Sequence, residues 1–261
     1  MHANSQPETR AERPQVIQVS SEAPERDAAL AAMVGEVRQQ ADAFVFLSGG
    51  ASKMTADHQR QLLGMFSALS QLAQQGRRYA VGDGGTHAGI MEAAGLARKA
   101  SGNAFPLIGV APATEIPPQG TTAIDPHHSH VVAVRTPKAP AKDAWGSETD
   151  TMYWLFATLA EGRPSVTVVA NGGGITLQEV AANVEAGRQM ILIDGSGRAT
   201  DAVVSLLRGT RPTDPDVVEL RDRAETAQLT RRPDLFRIVP LQAGAAGLST
   251  AIGDALGRRR P

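Results

Sequence analysis

Short apolar runs alternate with longer amphipathic segments along most of the chain. Val16 to Val19 is the first such run, and a helix is expected from about Glu25 to Gln40. Ala43 to Leu47 (AFVFL) is apolar at every position, as in a strand covered on both faces. Leu62, Leu63, Met65, Phe66, Leu69, Leu72 and Ala73 then recur near the helical period, predicting a helix closed by Gln75-Gly76. Tyr79 to Val81 begins the next unit, with a helix over about His87 to Ala100. Pro106 to Ala111 and Val131 to Val134 read as strands, separated by a Pro-rich loop from Pro112 to about Pro126. A second loop (TPKAPAKDAW) leads to a helix over about Ser147 to Glu161. Val166 to Ala170 with a helix through about Ala186, and Met190 to Ile193 with a helix through about Arg208, complete the series.

A strand followed by a helix, repeated with β-branched strands, predicts an α/β fold: a Rossmann-like, doubly wound, mainly parallel sheet with helices on both faces. Residues 1–14 (MHANSQPETRAERP) are polar and are expected to form a disordered tail. The domain itself is expected over 15–209. Residues 210–261 form a C-terminal extension packed on it, with a helix at about Val217 to Gln228, a strand at Phe236 to Leu241 and a helix at Leu248 to Leu256.

Composition narrows the functional classes. With 261 residues, 42% apolar and 20% charged, the chain is an ordinary globular protein of one large domain or two small ones. A formal net charge of -1 gives no broad basic face, so nucleic acid is not an expected partner. Cysteine is absent, which removes disulfides, thiolate metal sites and cysteine nucleophiles. No run reaches the roughly 20 apolar residues of a membrane span, and a cytoplasmic location is expected.

Four times a strand runs into glycines and then a helix. The turns are Ser48-Gly49-Gly50-Ala51-Ser52-Lys53, Gly82-Asp83-Gly84-Gly85-Thr86-His87, Asn171-Gly172-Gly173-Gly174-Ile175-Thr176 and Asp194-Gly195-Ser196-Gly197-Arg198. In a parallel sheet they emerge at one edge. Glycine lets backbone N–H groups approach an anion, and each helix start adds unsatisfied donors and the positive end of its dipole. Hydroxyls of Ser48, Ser52, Thr86, Thr176 and Ser196 and the charges of Lys53 and Arg198 suit the same guest. None of the turns is a Walker loop or a G-x-G-x-x-G dinucleotide fingerprint.

Taken in series with Ile108-Gly109-Val110-Ala111, Asp125-Pro126-His127-His128-Ser129-His130 and Trp145-Gly146-Ser147-Glu148, these blocks resemble the SLOG superfamily over about Phe44 to Val204. The branch it resembles is the LSDAT type, found at the N-terminus of melastatin-type TRP (TRPM) channels and in free-standing prokaryotic relatives. The resemblance implies a Rossmann-like fold and a sensor of nucleotide-derived ligands, ADP-ribose or a cyclic ADP-ribose-like molecule. It implies that Ser48 to Ser52 lie by the phosphates, Gly85 to His87 at the second helix start, Gly173 and Thr176 at the third, and that Arg198 supplies the cation. Trp145 stands where the channels carry a Tyr that stacks on the ligand. The expected ligand-binding set also takes in Lys53, Gly84, Glu148, Gly172, Gly174 and the fourth turn. One departure is Met152, in place of an arginine that pairs with the ligand in the channels.

Two other chemistries stay open at this level. A sister branch of phosphoribohydrolases carries Pro-Gly-Gly-x-Gly-Thr-x-x-Glu, and the aligned segment here ends in Glu179, the alternative catalytic acid for releasing a base from a nucleoside 5′-monophosphate. Asn171 and Ile175 break that signature, and the Arg-Lys pair of those enzymes is absent from ETDTMYWLFATLAE, so a binding role is the main expectation. His127, His128 and His130 with Asp125 have a metal-like spacing, but loop-ordering hydrogen bonds are the expected role and no metal site is assigned. No resident cofactor is expected beyond a bound nucleotide, with which a divalent ion can travel. Tyr153, Trp154, Leu155 and Phe156 cannot all face one way on a helix, so some are expected in the core and the rest against a neighbouring protomer; an effector protein is the other expected partner.

Overall fold

The computed structural model describes residues 13–50, 55–137, 144–223, 229 and 231–257. Eight strands form one sheet: β1 (Gln15–Ser20), β2 (Ala43–Gly49), β3 (Tyr79–Asp83), β4 (Leu107–Pro112), β5 (His130–Arg135), β6 (Ser165–Ala170), β7 (Gln189–Asp194) and β8 (Phe236–Pro240). The helices are α1 (Glu25–Gln40), α2 (Ala56–Phe66), α3 (Ala68–Gln74), α4 (Gly89–Ala100), α5 (Thr149–Ala160), α6 (Gly174–Glu185), α7 (Arg198–Arg208), α8 (Pro215–Arg221) and α9 (Gly244–Gly257). Strand order is β1-β5-β4-β3-β2-β6-β7-β8, and every pairing is parallel.

The all-apolar strands follow from having a helical layer on each side. Val45 and Leu47 of β2 enter one core with α2, α3, α4 and α9. Phe44 and Phe46 point the other way, toward α1 and α5, where Phe46 stacks on Phe156 at 4.2 Å between ring centroids. Further along that second face, α6, α7 and α8 cover Val169, Met190 and Leu192. The architecture is therefore the expected Rossmann-like α/β sheet.

Strand order locates the place where a ligand can enter. From β2 the chain builds outward through β3 and β4 on one side, then returns to lay β6, β7 and β8 on the other. The crossovers on the two sides diverge at β2 and β6 and leave a crevice beyond their carboxyl ends. Gly49 makes that crevice possible: its φ is +146°, and a Cβ there would collide with the carbonyl oxygen of Ala170 at the end of β6.

Several boundaries differ from the periodicity reading. The helix expected through Leu62 to Ala73 is two helices, because the Ser67 hydroxyl donates back to the Gly64 carbonyl (2.7 Å) and its N–H does the same (3.3 Å). α4 starts at Gly89 rather than His87, since the His87 N–H is taken by Ala123 O at 2.8 Å. α8 begins earlier than expected, capped by Asp214 on the Asp216 N–H (2.9 Å) with Pro215 in the first turn. Residues 1–12 of the expected tail, the basic tip Arg258 to Arg260 and 224–228 of the expected helix lie outside the described residues. No helix among the described residues is long and apolar enough to cross a membrane.

Candidate functional site

A cavity of about 510 Å³ opens at the β2–β6 crevice, a size that suits a small-molecule ligand. Its floor and back wall come from Leu47, Gly49, Gly50 and Gly84, Thr86, Ala88 of the first two turns. Gly172 to Thr176 and Glu179 form one side, and Trp145, Glu148, Met152, Met91 and Arg198 close the rest.

The β6–α6 turn is held rigidly from behind. Asn171 has φ +55°, a left-handed conformation that asparagine tolerates. Its N–H donates to Ser196 Oγ (2.8 Å), and its carbonyl accepts from the N–H (3.1 Å) and hydroxyl (3.0 Å) of Thr200. The Gly172 carbonyl accepts from the Ala199 N–H (3.3 Å). Donors at the start of α7 therefore serve the neighbouring turn rather than the cavity. Gly195 N–H is likewise taken by Asp201 Oδ1 (2.9 Å). Of the fourth turn, only Arg198 lines the cavity; Gly195, Ser196 and Gly197 do not.

Two arginines flank the first turn of α6. A Cβ built on Gly173 would sit 3.3 Å from Arg198 Nη2, and one on Gly174 would sit 2.8 Å from Arg223 Nη1. The Gly173 N–H turns inward to Thr176 Oγ1 (3.2 Å). Arg223, on the connection between α8 and β8, is a residue the sequence reading missed: nothing local in that polar, Arg-rich stretch ties it to α6.

Two buried carboxyls line the cavity. Glu179 accepts from the Ser48 hydroxyl, so Ser48 acts on the cavity through Glu179 rather than lining it. Burial raises Glu179 to about 7; the Ser48 hydrogen bond opposes the rise and the Glu148 charge adds to it. Glu148, next to the first turn of α5, accepts from the Gly146 N–H (2.8 Å), and burial raises it to about 7 as well. Trp145 is 37% exposed and Ile175 39% exposed, and both stand at the cavity. Met152 also lines it, so the position where the channels carry an arginine does face the site, with an apolar side chain.

The second turn is anchored by a buried ionic cluster. His128 lies between Asp83 (Nε2 to Oδ1, 2.8 Å) and Asp125 (Nδ1 to Oδ1, 3.2 Å), all three almost fully buried. Burial alone lowers His128, but the Asp83 charge and the hydrogen bonds it donates to both carboxylates overcome it and raise the imidazole to about 9. Asp83 Oδ1 also accepts from the Gly85 N–H (2.7 Å), and Asp125 Oδ2 pairs with His87 Nδ1 (2.9 Å). Gly95 of α4 lets Asp125 in, since a Cβ there would strike its carboxylate. Gly85 and His87 thus hold the turn, while Gly84 and Thr86 face the cavity. His127 and His130 do not join the pair of aspartates through their side chains. Among the described residues, no group of three or more His, Asp or Glu is placed to hold a metal ion. Ala51, Ser52 and Lys53 lie outside the described residues.

The family profile LSDAT_prok, described as "SLOG in TRPM, prokaryote", matches residues 42–247. No curated protein matches the chain.

Proposed function

The chain belongs to the prokaryotic family of SLOG domains of the TRPM type, and on that premise we propose that it is a ligand-binding sensor domain for a nucleotide-derived, phosphate-containing small molecule, ADP-ribose-like or cyclic ADP-ribose-like. One observation carries the reading: at the β2–β6 crevice, glycine turns, the start of α6 and Arg198 border the same cavity as Trp145, with Arg223 close behind Gly174. A phosphate suits the α6 start, where main-chain N–H donors and the helix dipole act together with Arg198 and Arg223. A flat base suits Trp145 and the apolar side chains of Met91, Met152 and Ile175.

Thermal-shift measurements with ADP-ribose, its cyclic isomers, NAD and AMP test the proposal. A true ligand at about 100 times its Kd stabilises the fold by about 2.7 kcal/mol. Arg198→Ala is expected to abolish most of that shift. If none of these nucleotides moves the melting temperature, the sensor reading is wrong.

A second reading, base release from a nucleoside 5′-monophosphate, is favoured by Glu179 alone. A carboxyl that titrates at about 7 inside a cavity suits proton transfer at a glycosidic bond. The turn argues against it: proline fixes φ near −65°, and Asn171 at +55° holds a backbone that the enzymes' Pro-Gly-Gly cannot share. Chromatography for free base after incubation with nucleoside monophosphates decides. Release that Glu179→Ala abolishes would make the protein a hydrolase.

A further inference from the structure

We propose that Glu148, with Glu179 beside it, reads the vicinal 2′,3′-diol of a ribose and makes the site selective for 5′-phosphorylated ribonucleosides over their deoxy counterparts. This rests on the nucleotide reading of the cavity and specifies which nucleotides it accepts.

Position supplies the first argument. Glu148 follows Trp145 by three residues, and Glu179 follows Gly174 by five on α6. The two carboxyls interact electrostatically, and both line the cavity. In a 5′-nucleotide the sugar joins the phosphate to the base. A ligand with phosphate at Gly174 and base at Trp145 therefore presents its sugar to this pair.

Chemistry supplies the second. Neither carboxyl suits a phosphate, whose charge has the same sign, or the apolar face of a base. A hydroxyl suits both. Glu148 is 7% and Glu179 9% exposed, so their acceptor atoms have little access to bulk water. The Gly146 N–H fixes Glu148, and the Ser48 hydroxyl occupies Oε2 of Glu179. The other oxygen of Glu179 has no protein donor among the described residues. Two neighbouring buried carboxyls resist ionising together, so the pair retains a proton to donate as well as oxygens to accept. A vicinal diol offers two donors and two acceptors to such a pair. A sugar lacking one hydroxyl leaves a buried acceptor unmatched, which a site of this kind rejects strongly.

Isothermal titration of the full chain in EDTA, which removes any metal bridge, provides the test. The probes are AMP and ADP-ribose, their 2′-deoxy and 3′-deoxy adenosine forms, IMP, and inorganic pyrophosphate. The ribo forms are expected to bind at least about 10-fold tighter than either deoxy form, as loss of a charge-assisted hydrogen bond requires. Glu148→Leu is expected to bring that ratio below about 3-fold, and Glu148→Gln, which keeps one acceptor oxygen, to retain an intermediate ratio. Deoxy forms binding within 2-fold of the ribo forms would overturn the inference and leave the nucleotide reading standing. So would discrimination that survives Glu148→Leu. Selectivity for AMP over IMP without selectivity for the sugar would reassign the pair to the base edge, against the proposal. If neither AMP nor ADP-ribose binds, this inference falls, and the nucleotide reading falls with it only if the cyclic isomers and NAD also fail to shift the melting temperature; pyrophosphate binding alone would mark a simple anion site. The wild-type panel decides even if a variant fails to fold.

Discussion

Two buried acidic groupings support neighbouring turns of this sheet, and they are wired in opposite ways. Asp83 and Asp125 enclose the His128 imidazole, and Asp83 also accepts the Gly85 amide. Among the described residues no cation pairs with Glu148 or Glu179; the first accepts from main-chain N–H groups, that of Gly146 among them, and the second from the Ser48 hydroxyl. The first grouping is internally compensated and fixes a turn. The second keeps its acceptors at a cavity, and burial without a paired cation among the described residues raises it toward neutrality. Buried acids alone therefore do not mark a binding site; what distinguishes the second group is open space together with the lack, among the described residues, of an internal counter-charge.

The largest expected effect tests the compensated side. His128→Ala leaves two buried aspartates without their cation, and a loss of about 3–5 kcal/mol is expected in urea unfolding. A loss below about 1 kcal/mol would mean the cluster is not compensated as described. Next comes pH. His128 is raised from 6.5 to about 9, so its contribution is complete below pH 6.5 and is lost as pH rises through about 9, by roughly 3 kcal/mol. The glutamates are raised from 4.5 to about 7, so their contribution is complete below pH 4.5 and fades as pH rises through about 7. Unfolding free energy followed from pH 4 to 10 is expected to decline in two stages, and only the upper stage is expected to vanish in the His128 variant.

Smaller effects sharpen the open side. Arg223→Ala is expected to weaken ADP-ribose binding about 10-fold in calorimetry, as removal of one charge-assisted contact does, while the melting temperature of the free protein stays within a degree or two. Glu179→Gln is expected to stabilise the free protein at pH 8 by on the order of 1 kcal/mol, because it removes a buried carboxyl ionised at a cost. Destabilisation as large as that of His128→Ala would erase the contrast between the two groupings.

Much of the architecture was legible from apolar runs, because strands such as AFVFL serve two cores at once and leave no polar face. The glycine turns were legible too, and the family resemblance brought together Trp145, Glu148, Gly172 to Gly174, Thr176, Glu179 and Arg198, which the cavity gathers. Which donors remain for a guest was not legible. The start of α7 looks like a fourth anion cradle in sequence, yet its amides close onto Asn171 and Gly172. Such tertiary hydrogen bonds leave no local pattern. The same holds for Arg223, which reaches Gly174 from 49 positions further along the chain, and for Asp83, whose partner lies 45 positions away.

That last connection has a mechanical consequence. Arg223 belongs to the stretch leading into β8, the rim strand that among the described residues pairs with β7 alone. An anion seated at α6 would tether this stretch from inside. Occupancy would then be felt at the periphery of the molecule, as slower amide hydrogen exchange in Phe236–Pro240, where a second protein could sense a filled cavity without touching it.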